Sequence, residues 1–138
     1  RLERMTSQLG LENNVIFVKG WLSEGQTRGL IGSAQAYIQA SAYEGYSRAL
    51  VEAALAKVPI ITTDVGIVGE VFKGYEDVLS VPVADPTNLA YSIIGLIEDT
   101  AVRRALPLQA ESSARAHLSV AGDIPARIAA DLASLVRK

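Results

Sequence analysis

Four short, largely apolar segments constrain the fold more than any other feature of the sequence. Each has four or five residues, is rich in β-branched or aromatic side chains, and is bounded by turn residues or helix-like patterns. The predicted strands are Val15–Val18, Ala36–Ala40, Pro59–Thr63 and Val78–Val81. Apolar strands separated by helices are typical of a parallel sheet that is covered on both faces. The sequence therefore predicts an α/β domain with a Rossmann-like, doubly wound parallel sheet.

Helical patterns fill the intervals between these strands. Ser23 and Gln26 form a capping-box pattern for a helix that reaches about Ser33. A helix over Ser47–Lys57 must stop before Pro59, because a proline disfavours helical backbone at the residue before it. Further helices are predicted up to Leu9, over Val68–Phe72, from Pro86, over Ala101–His117 and over Ile124–Val136.

Composition limits the class of protein. The 138 residues are 49% hydrophobic, which is enough for one packed domain spanning residues 1–138. A net charge of -2 without a basic cluster argues against a broad nucleic-acid surface, so no nucleic-acid partner is expected. The absence of cysteine excludes disulfides and thiolate metal sites. We expect a cytoplasmic location, with peripheral attachment of a longer protein to the inner face of the membrane left open.

The sequence begins with a helical pattern and has no initiator methionine. Leu2, Met5 and Leu9 have the spacing of one helix face, and no capping residue precedes them. We therefore expect the chain to be a fragment of a larger protein that begins inside a helix.

The predicted fold by itself indicates where a ligand would bind. In doubly wound sheets, ligands bind outside the carboxyl ends of the strands. The loops after the second and third predicted strands hold polar groups and the glycines Gly45, Gly66 and Gly69, which allow close approach of backbone or a positive φ. The N–H groups at the start of the helix near Ser47 would face the same crevice, where a phosphate would be favoured.

Glu52 stands out because it is the one carboxylate in the apolar run Ala49–Ala56. A buried carboxylate without a partner costs several kcal/mol, so Glu52 must lie at the rim of the crevice or be paired. One interpretation is a surface carboxylate that faces solvent or pairs with a neighbouring arginine. The other is an acceptor for vicinal hydroxyls of a ligand, with Glu44 binding a second set of hydroxyls.

The segments Glu44–Ala53 and Lys57–Gly66 resemble a known family. They are similar to the E-G-F-G-x-x-x-x-E-A and P-V-V-x-x-x-x-G block of retaining glycosyltransferases of the GT-B fold, group 1 type. The stretch Asp77–Pro82, similar to the family's G-L-L-V-P, extends the resemblance over nearly the whole chain. The resemblance implies the C-terminal, donor-binding half of a GT-B enzyme, of hexosyltransferase type, in the synthesis of cell-surface polysaccharide or glycolipid.

The resemblance also implies roles for individual residues. Glu44, as the catalytic candidate, would accept hydrogen bonds from the donor sugar, and Glu52 would hold the ribose diol. The nucleotide sugar would further contact Gly45, Tyr46, Ser47, Arg48, Ala49 and Leu50. The backbone N–H groups from Tyr46 to Leu50 would bind the diphosphate. The base would be flanked by Lys19, Gly20 and Trp21. Transfer would retain configuration and need no metal and no cofactor.

Two departures from the family pattern bear on activity. Ser47 and Arg48 stand where relatives often have glycine and an apolar residue; Ser47 is expected to cap the helix, and Arg48 reaches phosphate or solvates the rim. The resemblance also implies three parts of the enzyme that lie upstream of this chain's first helix in sequence. They are the family's diphosphate-binding Arg and Lys, two strands that would lie between Val15–Val18 and Ala36–Ala40 in the folded sheet, and the N-terminal acceptor-binding domain. We therefore expect the fragment alone to be inactive, with exposed sheet edges open to self-association.

Other residue types give weaker signals. His117 is the single histidine and is interpreted as a solvated or helix-capping residue, which argues against a metal site. Two alternatives remain open on function. One is a sugar-nucleotide epimerase-like half-domain of the same fold, and the other is a non-catalytic α/β ligand-binding module.

Overall fold

The computed structural model describes the backbone of residues 1–136 and the side chains of residues 1–120 and 122. Three parallel strands and five helices make up this part of the chain. In chain order they are α1 Leu2–Gln8, α2 Glu24–Gly32, β1 Tyr37–Gln39, α3 Arg48–Leu55, β2 Ile60–Thr63, β3 Leu79–Val81, α4 Pro86–Glu98 and α5 Thr100–Val136. The sheet has the order β1-β2-β3, with Ile38 opposite Ile61 and Thr62 opposite Ser80. The predicted α/β class with a parallel sheet is confirmed.

The central strand β2 is buried over its full length and separates two apolar clusters. Ile60 belongs to the cluster formed with α3 and α5, and its neighbour Ile61 belongs to the cluster formed with Leu96 of α4 and Leu106 of α5. Successive side chains of a strand point to opposite faces. Helices therefore cover both faces of the sheet, as a doubly wound fold requires.

Local sequence signals set the ends of the helices near the site. Ser23 and Gln26 form the predicted capping box of α2, with both reciprocal hydrogen bonds present. Helix α3 ends in a Schellman motif: the N–H of Val58 donates to the carbonyl of Ala53 at 3.1 Å, and Lys57 has a φ of 56°. This motif turns the chain directly into Pro59 and the buried strand β2.

The prediction of a strand at Val15–Val18 is wrong. These residues pair with no strand in the described chain, and Ile16 is 90% exposed. A strand needs a neighbour for its backbone N–H and C=O groups, and within residues 1–136 none lies beside this segment. Apolar, β-branched composition alone does not supply that neighbour.

Two helix predictions also need correction. Val68–Phe72 forms a turn closed by a parallel bridge between those two residues instead of a helix; Gly69 within it has a φ of 88°, which a helix does not allow. The two predicted C-terminal helices are one helix, α5, because Gly122 weakens a helix by about 1 kcal/mol without ending it.

No helix within residues 1–136 is long and apolar enough to span a membrane.

Candidate functional site

The site begins with two hydroxyl groups at the carboxyl ends of β1 and β2. The hydroxyl of Thr63 donates to the backbone carbonyl of Ser41 at 2.6 Å. The hydroxyl of Ser41 donates in turn to Oε1 of Glu44 at 2.7 Å. These bonds tie the loop that follows β1 to the end of β2, and they fix one oxygen of the Glu44 carboxylate.

The last residue of this loop, Ser47, has a left-handed backbone conformation. Ser47 is buried and has a φ of 60°, in the αL region that glycine adopts most easily. The side-chain amide of Gln39 donates to the Ser47 hydroxyl at 3.2 Å. The αL backbone explains why a glycine suits this position in the resembling motif.

The expectation that Ser47 caps α3 with its side chain is wrong. Ser47 is the N-cap residue, but its hydroxyl makes no hydrogen bond to the first turn. Capping by a serine hydroxyl normally requires an extended N-cap backbone, which the αL conformation does not provide. The first turn of α3 therefore carries no side-chain cap.

Gly66 packs tightly against the same loop. A Cβ at this position would lie 2.7 Å from the Ser47 hydroxyl oxygen and 3.0 Å from Cβ of Glu44, and its φ is 64°. Gly66 thus has the positive φ that was one of the two expectations for these glycines. Gly45 has no positive φ, and a Cβ there would meet no described protein atom within 4 Å, so its close approach to a ligand stays a prediction.

The N-terminus of α3 borders this loop. Arg48 is exposed, Ala49 is partly buried, and the side chain of Leu50 lies in the core. The N–H of Leu50 donates to the carbonyl of Ser47 at 3.0 Å. This N–H was one of the donors predicted to bind an anion, and it is already used within the protein. The remaining predicted donors are those of Tyr46, Ser47, Arg48 and Ala49.

Glu52 lies at the rim of a cavity between α2 and α3, rather than in the core. Its side chain is 33% exposed and lies 4.0 Å from the guanidinium of Arg48, at the outer limit of an ion pair. The cavity has a volume of about 390 Å³, and Arg28 of α2 lines it together with Glu52. This geometry accommodates both interpretations of Glu52, because an exposed pair at this distance holds the carboxylate only weakly.

Tyr37 of β1 responds to both carboxylates and was missed by the sequence analysis. Burial raises the pKa of its phenol, and the negative charges of Glu44 and Glu52 raise it further. The phenol donates to Oε1 of Gln39 at 3.2 Å. Glu44 and Glu52 therefore both act electrostatically on the phenol of Tyr37.

His117 also contacts this region, and the alternative that it caps a helix is wrong because α5 continues past it to Val136. It is partly buried, and its Nε2 lies 2.6 Å from the hydroxyl of Tyr46. The two ring centroids are 5.7 Å apart. Because the two residues are 71 positions apart, no local pattern could have revealed the contact.

Lys19, Gly20 and Trp21 are exposed and lie apart from the Glu52 cavity. Trp21 is fully exposed, and Lys19 forms an ion pair with Glu3 of α1 at 2.7 Å. The residues lining this cavity, and those lining a second cavity beside it that includes Tyr46, Arg48 and Glu52, all follow residue 23. The role of this loop at a nucleotide base stays a prediction.

Among the residues that the structure describes, no three His, Cys, Asp or Glu side chains are grouped so as to hold a metal ion. The site is instead built from two carboxylates, hydroxyls and backbone N–H groups at one end of a helix. Such a set can bind a ligand that presents both hydroxyl groups and an anion.

Comparison with known proteins identifies the fold. The structure is similar to the C-terminal domain of a glycosyl transferase group 1 family protein (LpcC) from Francisella tularensis, with a TM-score of 0.76, 22% identity and 83% of this chain covered. It is similar to sucrose-phosphate synthase from Thermosynechococcus elongatus, with a TM-score of 0.85, 23% identity and 97% covered. For Anabaena Alr3699/HepE, crystallised with UDP and glucose, the TM-score is 0.83, with 27% identity and 96% covered.

This chain spans 59% of the Francisella chain, 34% of the synthase and 35% of HepE. No curated protein sequence matches it significantly. The profile of the family described as "Glycosyl transferases group 1", however, matches residues 1–115, which is most of the chain. The chain therefore belongs to the glycosyl transferases group 1 family and has the α/β fold of the C-terminal domain of a GT-B glycosyltransferase.

Proposed function

We propose that this chain binds a nucleoside diphosphate sugar as the donor half of a retaining, metal-independent glycosyltransferase of hexosyltransferase type. The observation that carries the proposal is the position of the two carboxylates: Glu44 lies in the loop after β1, where Ser41 donates to its Oε1 at 2.7 Å, and Glu52 lies on the rim of the cavity between α2 and α3. The first turn of α3, which has no side-chain cap, begins between these two carboxylates in the sequence. Carboxylates that can accept hydrogen bonds from hydroxyl groups, placed beside a helix N-terminus, suit a ligand with sugar hydroxyls at both ends of a diphosphate.

Each group has a proposed partner on the donor. Glu44 accepts hydrogen bonds from hydroxyls of the transferred sugar, and Glu52 accepts them from the ribose diol. The backbone N–H groups of residues 46–49 donate to the diphosphate. Lys19, Gly20 and Trp21 are proposed to flank the base.

The proposed chemistry relies on electrostatic stabilisation of the leaving group. When the bond between the anomeric carbon and the diphosphate breaks, negative charge accumulates on the departing phosphate. Fixed N–H donors and the positive end of the α3 dipole stabilise that charge without reorganising. The acceptor hydroxyl attacks from the face that the diphosphate leaves, so the configuration at the anomeric carbon is retained.

Transfer also needs an acceptor within about 3 to 3.5 Å of the anomeric carbon. The described residues form one sheet with its helices, and none of them forms a second domain facing the site. We propose that the acceptor is held by a separate N-terminal domain and that the 138-residue chain alone transfers no sugar. We also propose that copies of the chain associate through the outer edge of β1, because Ile38 there is 44% exposed and exposed edges recruit pairing.

Calorimetry with a nucleotide panel tests the donor site. UDP and UDP-glucose are the first ligands to use, because HepE was crystallised with UDP and glucose at 27% identity. Glu52→Ala should weaken binding by about 1.5 to 3 kcal/mol, the range for hydrogen bonds to a charged group, and Glu52→Gln should lose less. Glu76→Ala is the matched control, since Glu76 is an exposed carboxylate that pairs only with Lys73 on the surface among the described residues.

Equal affinity of the wild type and Glu52→Ala for every nucleotide would exclude the ribose-binding role. A separate assay of the 138-residue chain, with its mass in solution, addresses activity and association. Steady glycoside formation by a monomer would contradict the need for an acceptor domain and the proposed association. With the full-length enzyme, release of nucleotide and a free sugar with an inverted carbon centre, in place of a glycoside, would favour an epimerase-like reaction.

A further inference from the structure

The Glu44 carboxylate is held by a side chain from the end of the preceding strand. Ser41, two residues after β1 ends at Gln39, donates its hydroxyl hydrogen to Oε1 of Glu44 at 2.7 Å. Both residues are partly buried. A hydrogen bond at this distance to a carboxylate belongs to the stronger, charge-assisted kind.

Ser41 is itself anchored to the fully buried strand of the sheet. Its carbonyl accepts the hydroxyl of Thr63 at 2.6 Å, and Thr63 ends the fully buried strand β2. The backbone of Ser41, whose hydroxyl holds Glu44, is therefore tied to the end of β2 by the Thr63 side chain. The other side of Glu44 is limited by Gly66, where an added Cβ would lie 3.0 Å from Cβ of Glu44.

This arrangement constrains a flexible side chain before a ligand binds. Glutamate loses more rotamer freedom on ordering than most residues, and a group ordered in advance adds less to the cost of binding. A carboxylate offers about four acceptor sites, so the bond from Ser41 leaves the rest of the group able to accept ligand hydroxyls.

We propose that Ser41 is a positioning residue for recognition of the transferred sugar, acting through Glu44. The proposal rests on the proposed role of Glu44 as the acceptor of sugar hydroxyls. Ser41 orients the carboxylate, Thr63 orients Ser41, and neither residue touches the nucleotide. The contribution of Ser41 should therefore be seen only with ligands that carry the sugar.

The test compares two ligands on three variants by calorimetry. UDP and UDP-glucose are titrated into the wild type, Ser41→Ala, Ser41→Thr and the control Ser33→Ala. Ser41→Ala should lower the affinity for UDP-glucose about threefold to tenfold while leaving that for UDP unchanged. Ser41→Thr keeps the hydroxyl and should restore the affinity. Within the described residues, the Ser33 hydroxyl bonds only to the carbonyl of Leu30 at its own helix end, so the loss of that hydroxyl should change neither affinity.

A second measurement does not depend on the ligand. In crystals of free Ser41→Ala, the Glu44 carboxylate should move or occupy several conformers, whereas the wild type and Ser41→Thr should hold one. An unchanged carboxylate in Ser41→Ala, or an equal loss of UDP and UDP-glucose affinity, overturns the positioning role. Failure of the wild type to bind any nucleotide would overturn the proposed function instead, and the crystal comparison would still decide whether Ser41 positions Glu44.

Discussion

The first 21 residues and the block of residues 36–85 have similar strand-forming sequences and different structures. Val15–Val18 and Ile60–Thr63 are both short runs of β-branched residues, yet Ile16 is 90% exposed and Ile61 is fully buried. The second run has a strand on each side and a helix on each face. The first has no strand partner within the described chain. Composition makes a segment able to form a strand, but neighbours decide whether it does.

Contacts in the two regions differ in sequence span as well. In the N-terminal segment Lys19 pairs with Glu3 at the surface, 16 positions away, and hydrogen bonding to the nearby Ser7 and to the backbone N–H of Glu12 lowers the pKa of the Glu12 carboxyl. In the block, Thr63 reaches Ser41 and His117 reaches Tyr46 over 22 and 71 positions. Long-range contacts of this kind are what hold a site in one geometry.

The largest expected difference between the regions is in core burial. Phe72 is fully buried and Phe17 is 37% exposed. Phe72→Ala should lower the free energy of unfolding by about 3 to 5 kcal/mol, because it leaves a cavity in the cluster formed with α3 and α5. Phe17→Ala, outside that core, should change it by only about 0.5 kcal/mol. Urea denaturation followed by circular dichroism measures both.

A loss of similar size in the two variants would show that Val15–Val18 contributes to the same core in solution. The N-terminal segment and the block of residues 36–85 would then not differ in core burial. Equal slopes of the denaturation curves are required for the comparison, since a changed slope reports a changed extent of unfolding.

The sequence predicted the parts of the fold that carry their own local signals. The three paired strands, the capping box at Ser23 and the proline at the start of α4 all lie where expected. The prediction at Val15–Val18 failed because strand pairing is a non-local property, and the prediction at Val68–Phe72 failed because positive φ at Gly69 forms a turn.

Within the candidate site, the pattern of residues located Glu44 and Glu52 at the carboxyl end of a strand and near the start of a helix. It did not reveal the residues that surround them. Tyr37 was missed because its phenol responds to both carboxylates only once the chain has folded. His117 was missed because α5 brings it to Tyr46 across the domain.

The next difference concerns two glycines with nearly the same backbone. Gly66 has a φ of 64° and Gly10 a φ of 67°, but a Cβ at Gly66 would lie 2.7 Å from the Ser47 hydroxyl, whereas one at Gly10 would meet nothing within 4 Å. Both alanine variants should lose about 1 to 2 kcal/mol from left-handed strain. Gly66→Ala should lose about 1 to 3 kcal/mol more of the free energy of unfolding, because the site loop, residues 40–47 between β1 and α3, must move.

Thermal and urea unfolding of the two variants measure this difference, and nucleotide affinity gives a second readout. Gly66→Ala should weaken nucleotide-sugar binding through the displaced Glu44 and Ser47, whereas Gly10→Ala should not. Equal stability of the two variants would mean that the contact with Gly66 is loose, and the site loop would then be less fixed than the block around it.

The smallest expected difference is between two polar pairs. Tyr46 and His117 connect the site loop to α5 through a 2.6 Å contact, whereas Glu3 and Lys19 form an exposed ion pair in the N-terminal segment. A double-mutant cycle with Tyr46→Phe and His117→Ala should give a coupling of about 0.5 to 1.5 kcal/mol, the net worth of a hydrogen bond. A cycle with Glu3→Gln and Lys19→Gln should give less than about 0.5 kcal/mol, and that coupling should vanish in high salt because solvent-exposed charges are screened. The Tyr46 pair should persist in salt, since one partner is an uncharged phenol. Zero coupling between Tyr46 and His117, or a coupling that disappears with salt as the surface pair does, would show that α5 does not hold the site loop.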